Sequence, residues 1–144
     1  MKIQPITLRH IVMGQDLNHH GTLYAGRCVE WMVEAGLIAA CDATRRNHIV
    51  CVHINDLSFR TPVHKGDQVE YTSTLCYAGR SSLVVYVRVE SVMTGGFVVD
   101  GFFTYVNVTD DGAPLTHGIV VEATTDEETK LMELGSRFAT KQRP

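Results

Sequence analysis

The sequence predicts an α+β domain in which a long antiparallel β-sheet wraps round one central apolar helix, with a short C-terminal helix added. Three observations predict it. From Tyr24 to Ala43, apolar side chains stand nearly all round a helix. From His48 to Val108 the chain reads as strands punctuated by turn residues. Thr125 and Glu128 then open an amphipathic stretch as a capping box.

The elements follow in order. Residues 4–13 are rich in β-branched and apolar side chains and read as a strand. Residues 14–21 are polar and turn-like, with Asp16, Asn18 and Gly21. In the helix, Leu23, Cys28, Trp31, Met32, Ala35, Leu37, Ile38 and Ala39 cover most faces, and only Arg27, Glu30, Glu34 and Asp42 are charged. A helix of this kind is normally buried, so the sheet is expected to enclose it. Residues 48–59 are the next strand, followed by a turn that contains Lys65-Gly66-Asp67. Residues 68–77 alternate, with Val69, Tyr71, Leu75 and Tyr77 expected on one face. After the turn Ala78-Gly79-Arg80, Leu83, Val85, Val87 and Val89 point one way and Val84, Tyr86 and Arg88 the other. Thr94-Gly95-Gly96 is a hairpin signal. Residues 97–108 form the last strand, ended by Asp110-Asp111-Gly112. Hairpins of this kind imply antiparallel pairing. In the final helix, expected over about residues 125–140, Leu131, Leu134 and Phe138 share a face, and Lys141, Arg143 and Pro144 lie beyond it.

The bulk numbers narrow the function. A chain of 144 residues fits one domain, 1–144, and its 44% hydrophobic content supplies a core. A net charge of −3 gives no basic surface for a nucleic-acid partner. No apolar run approaches the ~18 residues of a membrane span. Met1-Lys2-Ile3-Gln4-Pro5 has neither the apolar core nor the cleavage site of a signal peptide. Cys28, Cys41, Cys51 and Cys76 are widely spaced in apolar stretches, as buried reduced thiols are, and a cytoplasmic location is expected.

Four segments carry a family resemblance. Asp16-Leu17-Asn18-His19-His20-Gly21-Thr22-Leu23-Tyr24-Ala25-Gly26, followed by Glu30-Trp31-Met32, resembles the opening of acyl-CoA thioesterases of the hot-dog superfamily. In the same order, Phe59, Pro62, Val63, Gly66 and Asp67 match its second strand and turn, Gly79-Arg80-Ser81-Ser82 the turn before its fourth strand, and Phe103-Thr104-Tyr105-Val106 its last strand. The resemblance covers roughly residues 6–115. It implies a hot-dog fold, hydrolysis of an acyl-CoA, and a homodimer or a dimer-based tetramer or hexamer with two composite sites. CoA is part of the substrate, and no separate cofactor is implied.

The chemistry expected of the site follows. A helix N-terminus offers free N–H groups and partial positive charge to a thioester oxygen that gains charge during attack. Gly26, lacking Cβ, lets the backbone approach closely; Ala25 stands where the family has a second glycine. The resemblance makes Asn18 the residue that positions water or the carbonyl. Where the family keeps an acid, this chain has Val33, which is neither base nor nucleophile. Glu34, the next residue, shares a stripe with Arg27 and Glu30 and is the candidate base. His20 can line the cleft. Arg80, Ser81 and Ser82 suit CoA phosphates, with Arg60, Lys65, Lys141 and Arg143 as further candidates. No third ligand stands near His19 and His20 at metal-binding spacing, so no metal site is expected. Two other readings stay open: a CoA-ester lyase or hydratase on the same fold, and an acyl-CoA binder without turnover.

Overall fold

The computed structural model describes residues 1–139. In chain order the elements are β1 (Ile6–Ile11), α1 (Ala25–Thr44), β2 (Ile49–Asn55), β3 (Gln68–Ala78), β4 (Ser82–Ser91), β5 (Phe97–Asn107) and α2 (Asp126–Ala139). The strands form one five-stranded sheet, ordered β1-β3-β4-β5-β2, with every pairing antiparallel. One 3-10 turn, Gly14–Asp16, interrupts the loop between β1 and α1.

The alternation of β4 sorts the molecule into two layers. Leu83, Val85, Val87 and Val89 join Val69, Tyr71, Phe103 and Tyr105 against α1, which contributes Cys28, Met32, Ala35, Ala39 and Ala40. A side chain at Gly36 would collide with the Tyr105 hydroxyl, which donates to the Val33 carbonyl at 2.6 Å and ties the sheet to the helix. On the other face, Val84 and Phe102 pack with Tyr86 and with Leu131 and Phe138 of α2. The Thr125 hydroxyl caps α2 by accepting the Glu128 N–H at 3.1 Å, while the Glu128 carboxylate reaches the Thr124 N–H at 2.8 Å.

Tyr77 departs from the expected pattern. Leu75 pairs with Val85 but Tyr77 pairs with Val84, so Cys76 is an extra residue in the ladder. This bulge flips the alternation, and Tyr77 joins the α2 face instead of the face of Val69, Tyr71 and Leu75. β2 also ends early, at Asn55, because Asp56 turns the chain out with φ 61°.

The sheet packs round α1 as expected and leaves one side of it open. Glu30, Glu34, Ile38 and Asp42 remain exposed along one stripe. The neighbouring edge strand β2 exposes Val50, Val52 and Ile54. The helix is apolar on more faces than its own sheet covers. No helix among the described residues is long and apolar enough to cross a membrane.

Asp67 locks the turn before β3 to the β4–β5 hairpin. Its buried carboxylate accepts the N–H groups of Gln68 (2.7 Å) and Met93 (3.2 Å) and the Ser91 hydroxyl. Asp67→Ala strands these donors and is expected to lower the unfolding free energy by about 3 kcal/mol, read as an earlier urea midpoint.

Candidate active site

The loop into α1 is built around two side chains. Asp16 is buried; its carboxylate accepts the Met13 N–H at 2.8 Å and pairs with the Arg27 Nε at 3.1 Å. Its carbonyl accepts the Tyr24 N–H at 2.9 Å, so Asp16 fastens the loop to the first helical turn. Asn18 shapes the tip. Its Oδ1 accepts the N–H groups of His20 (2.9 Å) and Thr22 (3.1 Å), and its Nδ2 donates to the Thr22 hydroxyl at 3.0 Å. An amide nitrogen has two hydrogens; among the described residues the second has no partner. Gly21 supports the tight tip with φ 82°.

The helix begins uncapped. The Cys28 N–H makes the first intrahelical bond, to the Tyr24 carbonyl at 3.0 Å, and Tyr24 supplies no side-chain cap. The N–H groups before Cys28 therefore keep the partial positive charge of the helix end. Leu23 N–H donates to the Val63 carbonyl at 2.8 Å, which sets residues 59–63 beside this end.

Asn18 and Ala25 meet there in a cavity of about 290 Å³, whose other walls include Cys28, Phe59, Arg60 and Thr61. Gly26 lies one residue further in. The close approach its missing Cβ permits is taken by the Tyr24 ring, whose Cε2 would stand 2.6 Å from a Cβ there. Arg60 is exposed at the rim, with its guanidinium carbon 5.9 Å from the centre of the Phe97 ring. Cys28 lines the same cavity but is no nucleophile at neutral pH. Burial pushes its thiol up to about 11, against a smaller opposing effect of its contact with the Tyr71 hydroxyl.

The other expected residues lie elsewhere. His20 is exposed on the loop, its ring tilted against that of His19 with centroids 4.3 Å apart, and it is not part of the cavity wall. Glu34 stands about 12 Å further along the helix axis than Gly26, from the rise of an α-helix. It lines a separate open groove of about 830 Å³ with Leu37, Ile38, Cys41, Arg45 and His48. Among the described residues its carboxylate has no hydrogen-bond or ion-pair partner, whereas Glu30 is paired with Arg27 at 3.1 Å. One protomer therefore does not bring Glu34 to Asn18. Arg80 and Ser81 lie in the β3–β4 turn and Ser82 opens β4. The far end of β3 starts at Gln68, beside Asp67, so the length of this strand separates them from the Asn18 loop. Lys65 is exposed in its turn, and Lys141 and Arg143 fall outside the described residues. No cluster of three His, Cys, Asp or Glu side chains suited to a metal occurs among the described residues.

Asp16 and Tyr24 belong to the segment that carries the resemblance, but their roles at this end of the helix, and Thr61 beside them, did not stand out in the sequence. Asp16 sits in a polar loop where an acid is unremarkable, and its partner Arg27 belongs to another element. Thr61 falls at an unspecified position of the Phe59 to Pro62 segment.

A hot-dog sheet carrying an uncapped helix start and an unused amide N–H at one cavity defines a protein suited to holding a polarised carbonyl. Residues 20–94 match the model of the thioesterase superfamily, and the chain belongs to that family. It is 30% identical over 116 residues to an uncharacterised acyl-CoA thioester hydrolase of Bacillus subtilis, covering 78% of this chain and 67% of that one. It is 27% identical over 143 residues to the cytosolic acyl coenzyme A thioester hydrolase of Rattus norvegicus, covering 92% of this chain and 36% of the rat protein, so it spans about a third of that relative's length. Among solved structures, an apo-hexameric acyl-CoA thioesterase superposes with a TM-score of 0.84 at 28% identity, covering 92% of this chain and 86% of the other.

Proposed function

We propose that the protein hydrolyses an acyl-CoA to the free acid and CoA at a site shared between two copies of the chain. The observation that carries this reading is that Asn18, with an amide N–H to spare, and the uncapped start of α1 border one cavity. A thioester carbonyl seated there accepts from the helix N–H groups near Gly26 and from Asn18. Water attacks the carbonyl carbon, negative charge collects on the oxygen facing these donors, and the carbon–sulfur bond breaks to release CoA. The proton lost by the water passes to a base, and a proton returns to the departing sulfur.

Glu34 of the second copy is the base in this reading. It has no partner among the described residues and is exposed on a helix stripe, shared with Ile38, beside the open apolar β2 edge of Val50, Val52 and Ile54. Such an edge favours pairing with another strand. Antiparallel pairing of two β2 strands about a two-fold axis turns the second copy end for end. Its α1 then runs beside the first α1 in the opposite sense, and its Arg80-Ser81-Ser82 turn comes to the Asn18 end. That turn, with Arg60 at the rim and His20 on the loop, takes the CoA phosphates and the polar arm. The hexameric state named for the structural neighbour fits further association of such dimers. The cytoplasm, named for the rat relative, suits the four reduced cysteines. The scheme uses no metal or redox cofactor.

A panel of acyl-CoAs, incubated with the protein and a thiol reagent and resolved by mass spectrometry, tests the reaction. Free acid and free CoA in equal amounts support hydrolysis. An altered acyl group on intact CoA means lyase or hydratase chemistry, and binding without either product means a carrier or sensor.

A further inference from the structure

Beyond β5 the chain returns along the end of the sheet as an irregular segment, residues 113–122, that the family model, ending at residue 94, does not reach. One residue of this segment, His117, is bonded through its backbone and both ring nitrogens. Its N–H donates to the Arg80 carbonyl at 3.2 Å, and its Nδ1 accepts the Ile119 N–H at 2.9 Å. With Nδ1 an acceptor, Nε2 carries the proton of the neutral ring and donates to the Ser82 carbonyl at 2.9 Å. The carbonyl between them, of Ser81, accepts the Asn107 N–H at 2.8 Å. Asn107 is fully buried and fixed in turn: its Nδ2 donates to the Leu115 carbonyl, and its Oδ1 accepts from the Arg46 Nε, both at 2.9 Å.

The Arg80 and Ser82 carbonyls thus accept from His117 of the returning segment and the Ser81 carbonyl from Asn107 at the end of β5, while the Ser82 carbonyl also accepts the Gly79 N–H at 2.9 Å. Carbonyl oxygens repel an anion, whereas N–H groups, hydroxyls and a guanidinium attract one. With its carbonyls held back, the turn keeps the Arg80 side chain and the serine hydroxyls for a ligand.

We infer that His117 is a positioning residue for this turn, setting the geometry with which Arg80, Ser81 and Ser82 receive the phosphates of a CoA ester. The inference rests on the reading that this turn binds CoA. His117 touches no reacting atom, so its effect belongs in KM and only for substrates that carry the nucleotide.

The test compares an acyl-CoA with the same acyl group on pantetheine, which lacks the nucleotide, across wild type, Arg80→Ala, His117→Ala, His117→Asn and His117→Gln. Losing the Nε2 bond in His117→Ala is expected to raise KM for the acyl-CoA about three- to tenfold, from the usual worth of one hydrogen bond. Its kcat and its KM for acyl-pantetheine stay at wild-type values. His117→Asn keeps an acceptor near Nδ1 but does not reach Ser82, and behaves like the Ala variant. His117→Gln puts an amide nitrogen near the Nε2 position and restores KM. Wild-type KM in folded His117→Ala or His117→Asn protein overturns the inference, and so does an equal rise for both substrates. If Arg80→Ala leaves the acyl-CoA KM unchanged, the CoA-binding reading of the turn fails first, whatever His117 does.

Discussion

Asn18→Asp is expected to lower kcat by about 100-fold or more, the usual cost of losing one donor to a developing oxyanion, while leaving the fold intact. The substitution separates two roles of one side chain. The carboxylate keeps the acceptor that the His20 and Thr22 N–H groups use. The Thr22 hydroxyl already lies 3.3 Å from Asn18 Oδ1 and can donate there once Nδ2 is gone. The loop therefore persists, but the spare amide N–H of a cavity-lining residue is replaced by negative charge where negative charge must develop. Asn18→Ala would remove loop and donor together and could not tell them apart. CoA release gives kcat, and thermal unfolding followed by circular dichroism reports the fold. Unchanged turnover in Asn18→Asp would remove Asn18 from the chemistry.

Glu34→Gln is the second large expected effect. The amide matches the carboxylate in shape but cannot take the proton from water, and loss of a general base costs about 10²- to 10⁴-fold in kcat. Stability should hardly move, since Glu34 is exposed and has no partner among the described residues; surface changes of this kind stay within about 0.5 kcal/mol. KM should also hold, because the CoA-binding groups are elsewhere. Turnover equal to wild type would return Glu34 to the role of a solvated helix residue.

Much of the fold was legible because its signals are local. Alternation in β4 and the glycines of the turns located the hairpins, and the Thr125 to Glu128 spacing located α2. Tyr77 was misplaced because one inserted residue, Cys76, reverses the pattern without any change in composition. The helix α1 did announce that most of its faces are apolar. It could not announce that its own sheet covers only part of them, because an apolar side chain reads the same whether the sheet covers it or leaves it open. The site divides in the same way. Asn18 and Gly26 lie in one continuous segment and could be read there. The roles of Asp16 and His117 could not, since Asp16 depends on Arg27 in another element and His117 binds backbone carbonyls, which every residue has. Glu34 could be read as an unusual acid, but its separation from the Asn18 cavity needed the path of the helix.

The claim that Asn18 and Glu34 act together only across two copies is tested most directly by complementation. Asn18→Asp and Glu34→Gln chains, each expected to keep no more than about a hundredth of wild-type kcat, are unfolded, mixed in equal amounts and refolded. In a two-fold dimer each mixed pair regains one intact site, so random pairing should restore about a quarter of wild-type kcat. Activity no higher than that of either variant alone, with mixed dimers confirmed by native mass spectrometry, would contradict a shared site.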